Sequence, residues 1–196
     1  LVLLCENNEG YSNLVKLVSA ANTEGFYGKP RVDKELLKRH HKGLICLSAC
    51  IAGAIPRYIL KNDYPSAIEY AKKLDEIFGR GNFYLELQNH GIEEEDEVRQ
   101  GLLQIHNETG IPLVATNDVH YVEEEDAIAQ DALRCIGFKK LLHEPHAKMG
   151  GEKELSSWYL KTEAEMRATG KKMPAIVVGC MRLAEKNCSE MQHFIH

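Results

Sequence analysis

Several features that mark particular classes of protein are missing from this sequence. No apolar run is long enough to span a bilayer, and no secretory signal opens the chain, so we expect no membrane partner. The six cysteines include no Cys-x-x-Cys pair and do not resemble a compact disulfide framework. Cysteine used in this way is typical of a reducing compartment, where it packs as a small apolar residue or binds a ligand. We therefore predict a cytoplasmic protein.

An excess of basic charge is also missing. The formal net charge is −5 and the two signs are mixed, so these residues carry no basic footprint for nucleic acid. With 196 residues, 44% of them hydrophobic, the chain can bury one sizeable core; one domain is the default expectation and two small domains are the alternative. There is no initiating Met and the opening residues LVLLC read as a strand, so we expect a fragment of a longer protein.

What the sequence does contain is an alternation of apolar strands and amphipathic helices. Four short runs are apolar nearly throughout and are predicted as strands, at residues 1–6, 43–49, 82–88 and 111–117. Runs of this kind separated by helices are typical of a parallel sheet that is covered on both faces. The predicted fold class is therefore α/β with parallel strands.

Capping residues and glycines bound the predicted helices. The helices are expected at 10–24, after Asp33, at 53–61, between Asp63 and Gly79, at 93–109 and at 174–187. An acidic helix start is expected at 123–126, and a capping box formed by Thr162 and Glu165 begins another late helix. The region 137–156 has no clear period and is predicted as a long loop.

Side chains that can bind a metal follow three of the predicted strands. Cys50 follows the second strand, His90 the third, and Asp118 and His120 the fourth. The carboxyl ends of parallel strands meet at one edge, where the active sites of α/β proteins gather. Asp118 and His120 are two residues apart, so both point to one face of an extended chain. Such a pair can bind zinc, manganese or iron, or the acid can orient the imidazole for acid–base catalysis.

Each of these residues also has an ordinary structural explanation. Most Asp-x-His pairs are polar surface residues or satisfied hydrogen bonds, and a single free cysteine such as Cys50 is more often core than ligand. His90 precedes Gly91 and is equally explained as a turn residue. The arrival of all these side chains at the same sheet edge is what favours a metal site.

The order of several motifs resembles one known family. Five segments are similar, in order, to the polymerase-and-histidinol-phosphatase (PHP) domain of bacterial DNA polymerase III alpha subunits: LLCENNEGYSNLVKLVS, EGFYGKPRVDKELL, GLICLSACIAGAIPRYIL, DEIFGRGNFYLELQNHGI and GIPLVATNDVHY. Two later segments, SSWYLKTEAEMRA and AEKNC, resemble the closing part of that domain. The resemblance therefore runs over nearly the whole chain.

This resemblance implies a fold, a domain division and a metal site. Domains of this family are similar to a distorted (β/α)7 barrel with metal ions at the C-terminal ends of the strands. The PHP domain is expected to span 1–187, without its N-terminal strands, and 188–196 is expected to begin the connection to the polymerase palm. Cys50, Asp118 and His120 match metal-ligand positions of the family. His90 matches a recurrent position, expected to contact the ligands or the substrate phosphate.

The sequence departs from the family pattern in two places. The remaining family ligands, including an early His-x-His or His-x-Asp motif, a Glu and a further His, are expected upstream of Leu1. Gln130 stands where the family usually has a histidine, and the loop that follows has diverged. The contacts that the family makes through that loop are not carried over to this chain.

The implied function is that of a replicative polymerase. The parent protein is expected to be a DNA-directed DNA polymerase of the bacterial cytoplasm, which uses magnesium and binds DNA through other domains. The PHP domain, packed against the rest of the alpha subunit, is expected to hydrolyse phosphoesters with bound divalent metal ions, as in 3′–5′ proofreading. Two alternatives stay open: a degenerate structural module that docks a separate proofreading exonuclease subunit, and a stand-alone PHP phosphatase.

Overall fold

Strands and helices alternate along the chain in the order that the sequence predicts. The computed structural model of the protein describes residues 1–144 and 157–170. Within them the strands are β1 Val2–Cys5, β2 Leu44–Leu47, β3 Phe83–Leu87 and β4 Leu113–Ala115. A 3-10 turn at Glu124–Asp126 precedes α6, and the helices are α1 Asn8–Thr23, α2 Lys34–Arg39, α3 Ala54–Ile59, α4 Tyr64–Phe78, α5 Glu93–Thr109, α6 Ala127–Phe138 and α7 Glu163–Gly170.

The helix boundaries follow the capping chemistry of the sequence. Asp33 and Asp63 each accept a hydrogen bond from a backbone N–H in the first turn, of α2 and of α4 respectively. Gly110 ends α5 in the left-handed conformation, with φ of 73°. Thr162 and Glu165 form the predicted capping box at the start of α7. No helix within the described residues is long and apolar enough to cross a membrane.

Two predicted segments fall partly or wholly outside the described residues. The loop predicted for 137–156 is described only up to residue 144, and α6 extends into it as far as Phe138. The helix predicted for 174–187 lies outside the described residues. Both expectations stay predictions beyond those limits.

One sheet is formed by the four strands, in the order β1-β2-β3-β4. The strands β2, β3 and β4 are parallel, as predicted. β1 is antiparallel to β2, with Val2 opposite Leu47, so the prediction of parallel strands is wrong for β1. The physical reason is that an apolar run suits either strand direction, so LVLLC carries no signal that distinguishes the two.

Close backbone contact fixes the start of α1 against the loop that precedes β2. Asn7 caps α1 by accepting a hydrogen bond from Gly10 N at 2.9 Å, and Glu6 N donates to Gly43 O at 2.9 Å. A Cβ atom at Gly10 would lie 1.8 Å from Gly43 O, so only glycine fits there. These contacts hold the connection from β1 into α1 beside the start of β2.

Helices α1 to α5 pack on one face of the sheet. The main core joins buried side chains of α1 to α5 to one face of the strands, which contributes Leu44, Cys46, Phe83, Leu85, Leu87 and Ala115. The opposite face carries a smaller apolar cluster of Ile45, Leu47 and Val114. Because side chains alternate along a strand, Glu86 and Gln88 lie on this second face, beyond the smaller cluster.

The architecture is therefore α/β with a mostly parallel sheet. The four strands of the described residues do not close on themselves, since β1 and β4 each pair on one side only. The C-terminal ends of β2, β3 and β4 share one edge, which we call the strand-end edge.

Replacing Gly10 by alanine tests the contact between α1 and Gly43. We expect Gly10→Ala to lower the free energy of unfolding by about 1–3 kcal/mol, because the added methyl group forces two backbones apart. Gly137, in the last turn of α6, is the matched control, since a Cβ there meets nothing within 4 Å. Gly137→Ala should be neutral or stabilise the chain by up to about 1 kcal/mol. Urea unfolding of both variants decides; an equal effect at the two positions contradicts the predicted contact.

Candidate functional site

A buried carboxylate joins the three parallel strands where they end. Glu86 on β3 is 6% exposed. Its Oε2 accepts a hydrogen bond from Ala49 N, after β2, at 2.9 Å, and its Oε1 accepts from the hydroxyl of Thr116, after β4. Oε1 also accepts from Gln88 Nε2 at 3.2 Å, and the Ser48 hydroxyl accepts from Glu86 N at 2.8 Å. A buried network in which the polar groups are hydrogen-bonded keeps its side chains in one arrangement, so it fixes the ends of the three strands relative to one another.

Cys50 follows β2 at a sharp change of chain direction. Ala49, directly before it, has φ of 69°, in the left-handed region. Cys50 is half-buried and lines a cavity of about 10 Å³, which has room for roughly one water molecule. Glu86, Glu95 and Arg99 also line this cavity. The thiol therefore borders a small cavity with charged groups in its wall.

Asp118 and His120 form an exposed pair after β4. Their side chains are 38% and 40% exposed, and Asp118 Oδ2 lies 3.6 Å from His120 Nε2. Two ligands of a tetrahedral zinc ion, each bound at roughly 2.0–2.2 Å, lie about 3.4 Å apart. The pair therefore has the spacing and the solvent access that a bound metal ion needs.

The backbone at Asp118 has an uncommon conformation, with φ of 43°. Asp and Asn adopt this region more readily than other residues, and such positions persist where neighbouring contacts hold them. Here His90 Nε2 donates a hydrogen bond to Asn117 O at 2.9 Å, and His120 N donates to Trp158 O at 2.8 Å. The turn is thus held on both sides of Asp118.

His90 is buried at the centre of the strand-end edge. It is 3% exposed, and its ring stacks on Trp158 with centroids 4.7 Å apart and planes 6° apart. Nδ1 lies 2.5 Å from Glu95 Oε1, and Nε2 lies 2.9 Å from Asn117 O. Both ring nitrogens are therefore held in hydrogen bonds, one to the Glu95 carboxyl group and one to a backbone carbonyl. Neither nitrogen is free to bind a metal ion or a phosphate in this arrangement.

The segment of residues 157–161, about forty residues later in the sequence than the turn at Asp118, packs along the strand-end edge. The Asn117 amide donates hydrogen bonds to Ser157 O at 2.7 Å and to Tyr159 O at 2.8 Å. In return Lys161 Nζ donates to Asn117 Oδ1 at 2.9 Å. Tyr159 forms a parallel bridge to the chain that follows β4. The turn at Asp118 is therefore enclosed by this segment as well as by His90.

The structure brings the predicted site residues together in part. Asp118 and His120 are paired, and His90 is connected to the same turn through Asn117. Cys50 follows β2, whereas Asp118 and His120 follow β4. Because β3 lies between these two strands, β2 and β4 are about 10 Å apart, and Cys50 lines a cavity of its own. Within residues 1–144 and 157–170, no three His, Cys, Asp or Glu side chains converge to hold a metal ion.

Sequence reasoning missed the residues that hold this edge together. Glu95 is one of four acids in the first turn of α5, where the helix dipole explains it, yet it is 4% exposed and pairs with His90. Trp158 is the chain's one tryptophan, and a large aromatic side chain in a polar stretch is a usable signal of a buried contact. Asn117 offered no such signal, because its role depends on a segment forty residues away.

Comparison with known proteins agrees with this architecture. Residues 1–90 match the PHP domain family. The chain is 43% identical over 186 residues to the DNA polymerase III subunit alpha of Treponema pallidum, and 44% identical over 187 residues to that of Borreliella burgdorferi. Each alignment covers 95% of this chain and 16% of the relative. The subunit of Thermus aquaticus is 42% identical over 168 residues, which are 86% of this chain and 13% of that protein.

These relatives are much longer than the chain, which spans about a sixth of the length of the first two. Because the first two alignments cover 95% of this chain, the similarity extends well past residue 90. The chain belongs to the PHP domain family, in the form carried by the alpha subunits of bacterial DNA polymerase III.

Proposed function

We propose that this chain serves in DNA replication, as the PHP domain of an alpha subunit whose whole protein is a DNA-directed DNA polymerase. The observation that carries this proposal is the 43–44% identity to two such subunits along 95% of the chain. The polymerase reaction, its magnesium ions and its DNA contacts belong to parts of the parent protein other than these residues. The partner of this domain is the rest of the same alpha subunit.

Within the domain we propose a metal-dependent phosphoester hydrolysis at the strand-end edge, such as 3′–5′ proofreading. Asp118 and His120 fit one divalent ion of zinc, manganese or iron by spacing and exposure. Cys50, which follows β2 at the same edge, is proposed as a further ligand. A metal ion at this edge would polarise a phosphate and lower the pKa of a bound water. The protein's own part is to hold Asp118 and His120 in place through His90 and Asn117.

The finer architecture is proposed on the same basis. The strand order β2-β3-β4 with helices α1 to α5 on one face is compatible with part of a distorted (β/α)7 barrel, with the second face inside. We propose that this domain spans 1–187 and that 188–196 begins the connection to the next domain.

A structural role is the second candidate, and one observation favours it. The described residues bring two candidate ligands together rather than three, and Gln130 stands where the family usually has a histidine. A site of this kind could persist as a rigid surface that docks a separate proofreading exonuclease. A stand-alone phosphatase is not favoured, because the relatives are alpha subunits along nearly the entire chain.

Changing Asp118 to asparagine tests the metal site. Asparagine adopts the left-handed backbone of this turn as readily as aspartate, so we expect the fold to be retained. The loss of the carboxylate should lower metal affinity by at least about 10-fold. Equilibrium dialysis against zinc, manganese or iron, followed by plasma mass spectrometry, measures the bound metal.

Glu125→Gln is the matched control for this experiment, since it removes one exposed negative charge from the same stretch of chain. Metal content should be unchanged in that variant. Equal metal content in Asp118→Asn and in the unsubstituted chain would rule out Asp118 as a ligand and favour the structural role.

Changing Cys50 to alanine distinguishes a thiolate ligand from a packing residue. As a ligand, Cys50 adds to stability only when metal is bound, so Cys50→Ala should lower the melting temperature of the metal-loaded chain and leave the chelated chain nearly unchanged. Cys46 is the control, because it is 0% exposed in the main core. Cys46→Ala should cost about 1–2 kcal/mol with or without metal. If the two variants behave alike in paired melts, Cys50 is not a ligand.

A further inference from the structure

Lys161 carries a positive charge into the strand-end edge, and the proposed ligand set does not use it. The residue lies between Trp158, which stacks on His90, and the start of α7. Its Nζ donates hydrogen bonds to Asn117 Oδ1 at 2.9 Å and to Ser157 O at 2.8 Å. Both acceptors are neutral. One of them belongs to the residue that precedes Asp118, so the ammonium group lies at the same turn as the proposed metal ligands.

No carboxylate among the described residues forms an ion pair with this ammonium group. Glu95 is paired with His90, and Glu165 accepts hydrogen bonds from Thr162 and Tyr159. Burial lowers the pKa of Lys161, while the negative charges of Glu165, Glu124 and Glu95 act on it from a longer distance in the opposite direction. A half-buried cation without a paired anion is poorly stabilised, and a lysine ammonium group has three donors, of which two are used here.

We infer that Lys161 binds a phosphate group at the strand-end edge. Lysine is a common phosphate ligand, and a phosphate oxygen would supply both the missing negative charge and an acceptor for the third N–H. The inference deepens the proposed hydrolysis and rests on it, since Lys161 contacts Asn117, the residue that precedes Asp118 at the strand-end edge. The phosphate could belong to a mononucleotide, to the end of a DNA strand or to inorganic phosphate.

The competing explanation is that Lys161 only fastens the segment 157–161 to Asn117. The two hydrogen bonds would serve that purpose with any donor of similar length. Charge is the property that distinguishes the two roles. A glutamine at this position keeps N–H donors for both acceptors and removes the charge, whereas an arginine keeps the charge.

Phosphate binding by the 196-residue chain tests the inference, with Lys161→Gln and Lys161→Arg as the variants. Inorganic phosphate, thymidine monophosphate and a short single-stranded oligodeoxynucleotide are titrated separately, with chelator present. Trp158 is the only tryptophan, so its fluorescence reports both binding and the docking of the segment. We expect Lys161→Gln to weaken binding of the best of these three probes by roughly 10-fold or more and Lys161→Arg to restore it to within about 3-fold.

Lys34→Gln is the matched control. Lys161 is half-buried and its Nζ lies 5.3 Å from the centroid of the Tyr159 ring. Lys34 is likewise half-buried and lies over a tyrosine ring, and it borders a separate pocket with Lys38 and Lys73. A loss of binding in Lys34→Gln instead of Lys161→Gln would place the anion in that pocket and overturn the inference. So would equal affinity in Lys161→Gln and the unsubstituted chain, with unchanged fluorescence, or no binding of any probe.

Asp118→Asn separates this inference from the proposed metal site. In the presence of chelator that variant should bind phosphate as tightly as the unsubstituted chain, because the Asp118 side chain takes no part in the hydrogen bonds that hold Lys161. If phosphate binding depends on Lys161 while metal content does not depend on Asp118, the phosphate site stands and the metal site fails.

Discussion

The buried hydrogen bond between His90 and Glu95 is the contact on which the strand-end edge depends. His90 follows β3, and its Nδ1 is hydrogen-bonded to Glu95 in the first turn of α5. Its Nε2 is hydrogen-bonded to the backbone of Asn117, after β4, and its ring stacks on Trp158. Four parts of the chain therefore meet on one imidazole. Removing one member of a buried hydrogen-bonded pair generally costs about 1–3 kcal/mol, because the other polar group is left without a partner.

Much of the fold follows from local sequence signals. Capping residues and glycines predict α2, α4, α5 and the start of α7, and each boundary is confirmed because a cap is a contact within one turn of chain. Apolar runs likewise predict the four strands. The direction of β1 was not predictable in this way, since it depends on contacts of Glu6 and Gly10 with Gly43, more than thirty residues later in the chain.

In the candidate site, too, the features that depend on local sequence were predictable and those that depend on distant contacts were not. Asp118 and His120 are predicted as a pair from their spacing in an extended chain. They do lie together, but across the turn at Asp118, whose φ is 43°, and not along a strand. The environment of His90 is not predictable from its neighbours, because Glu95 and Asn117 reach it from two other elements and Trp158 from a third. Polar residues that act through distant partners leave no periodic signal, so a sequence reveals the exposed members of a site before the buried ones that position them.

The antiparallel direction of β1 reverses the relation between the start of the chain and the edges of the sheet. Val2 lies opposite Leu47, so the chain enters β1 from the strand-end edge rather than from the opposite one. A polyhistidine tag joined to Leu1 would therefore emerge at the edge that carries Cys50 and the turn at Asp118. Imidazoles supplied by such a tag would compete for, or add ligands to, any metal ion at this edge. Metal bound by a chain tagged in this way would therefore include ions held by the purification handle.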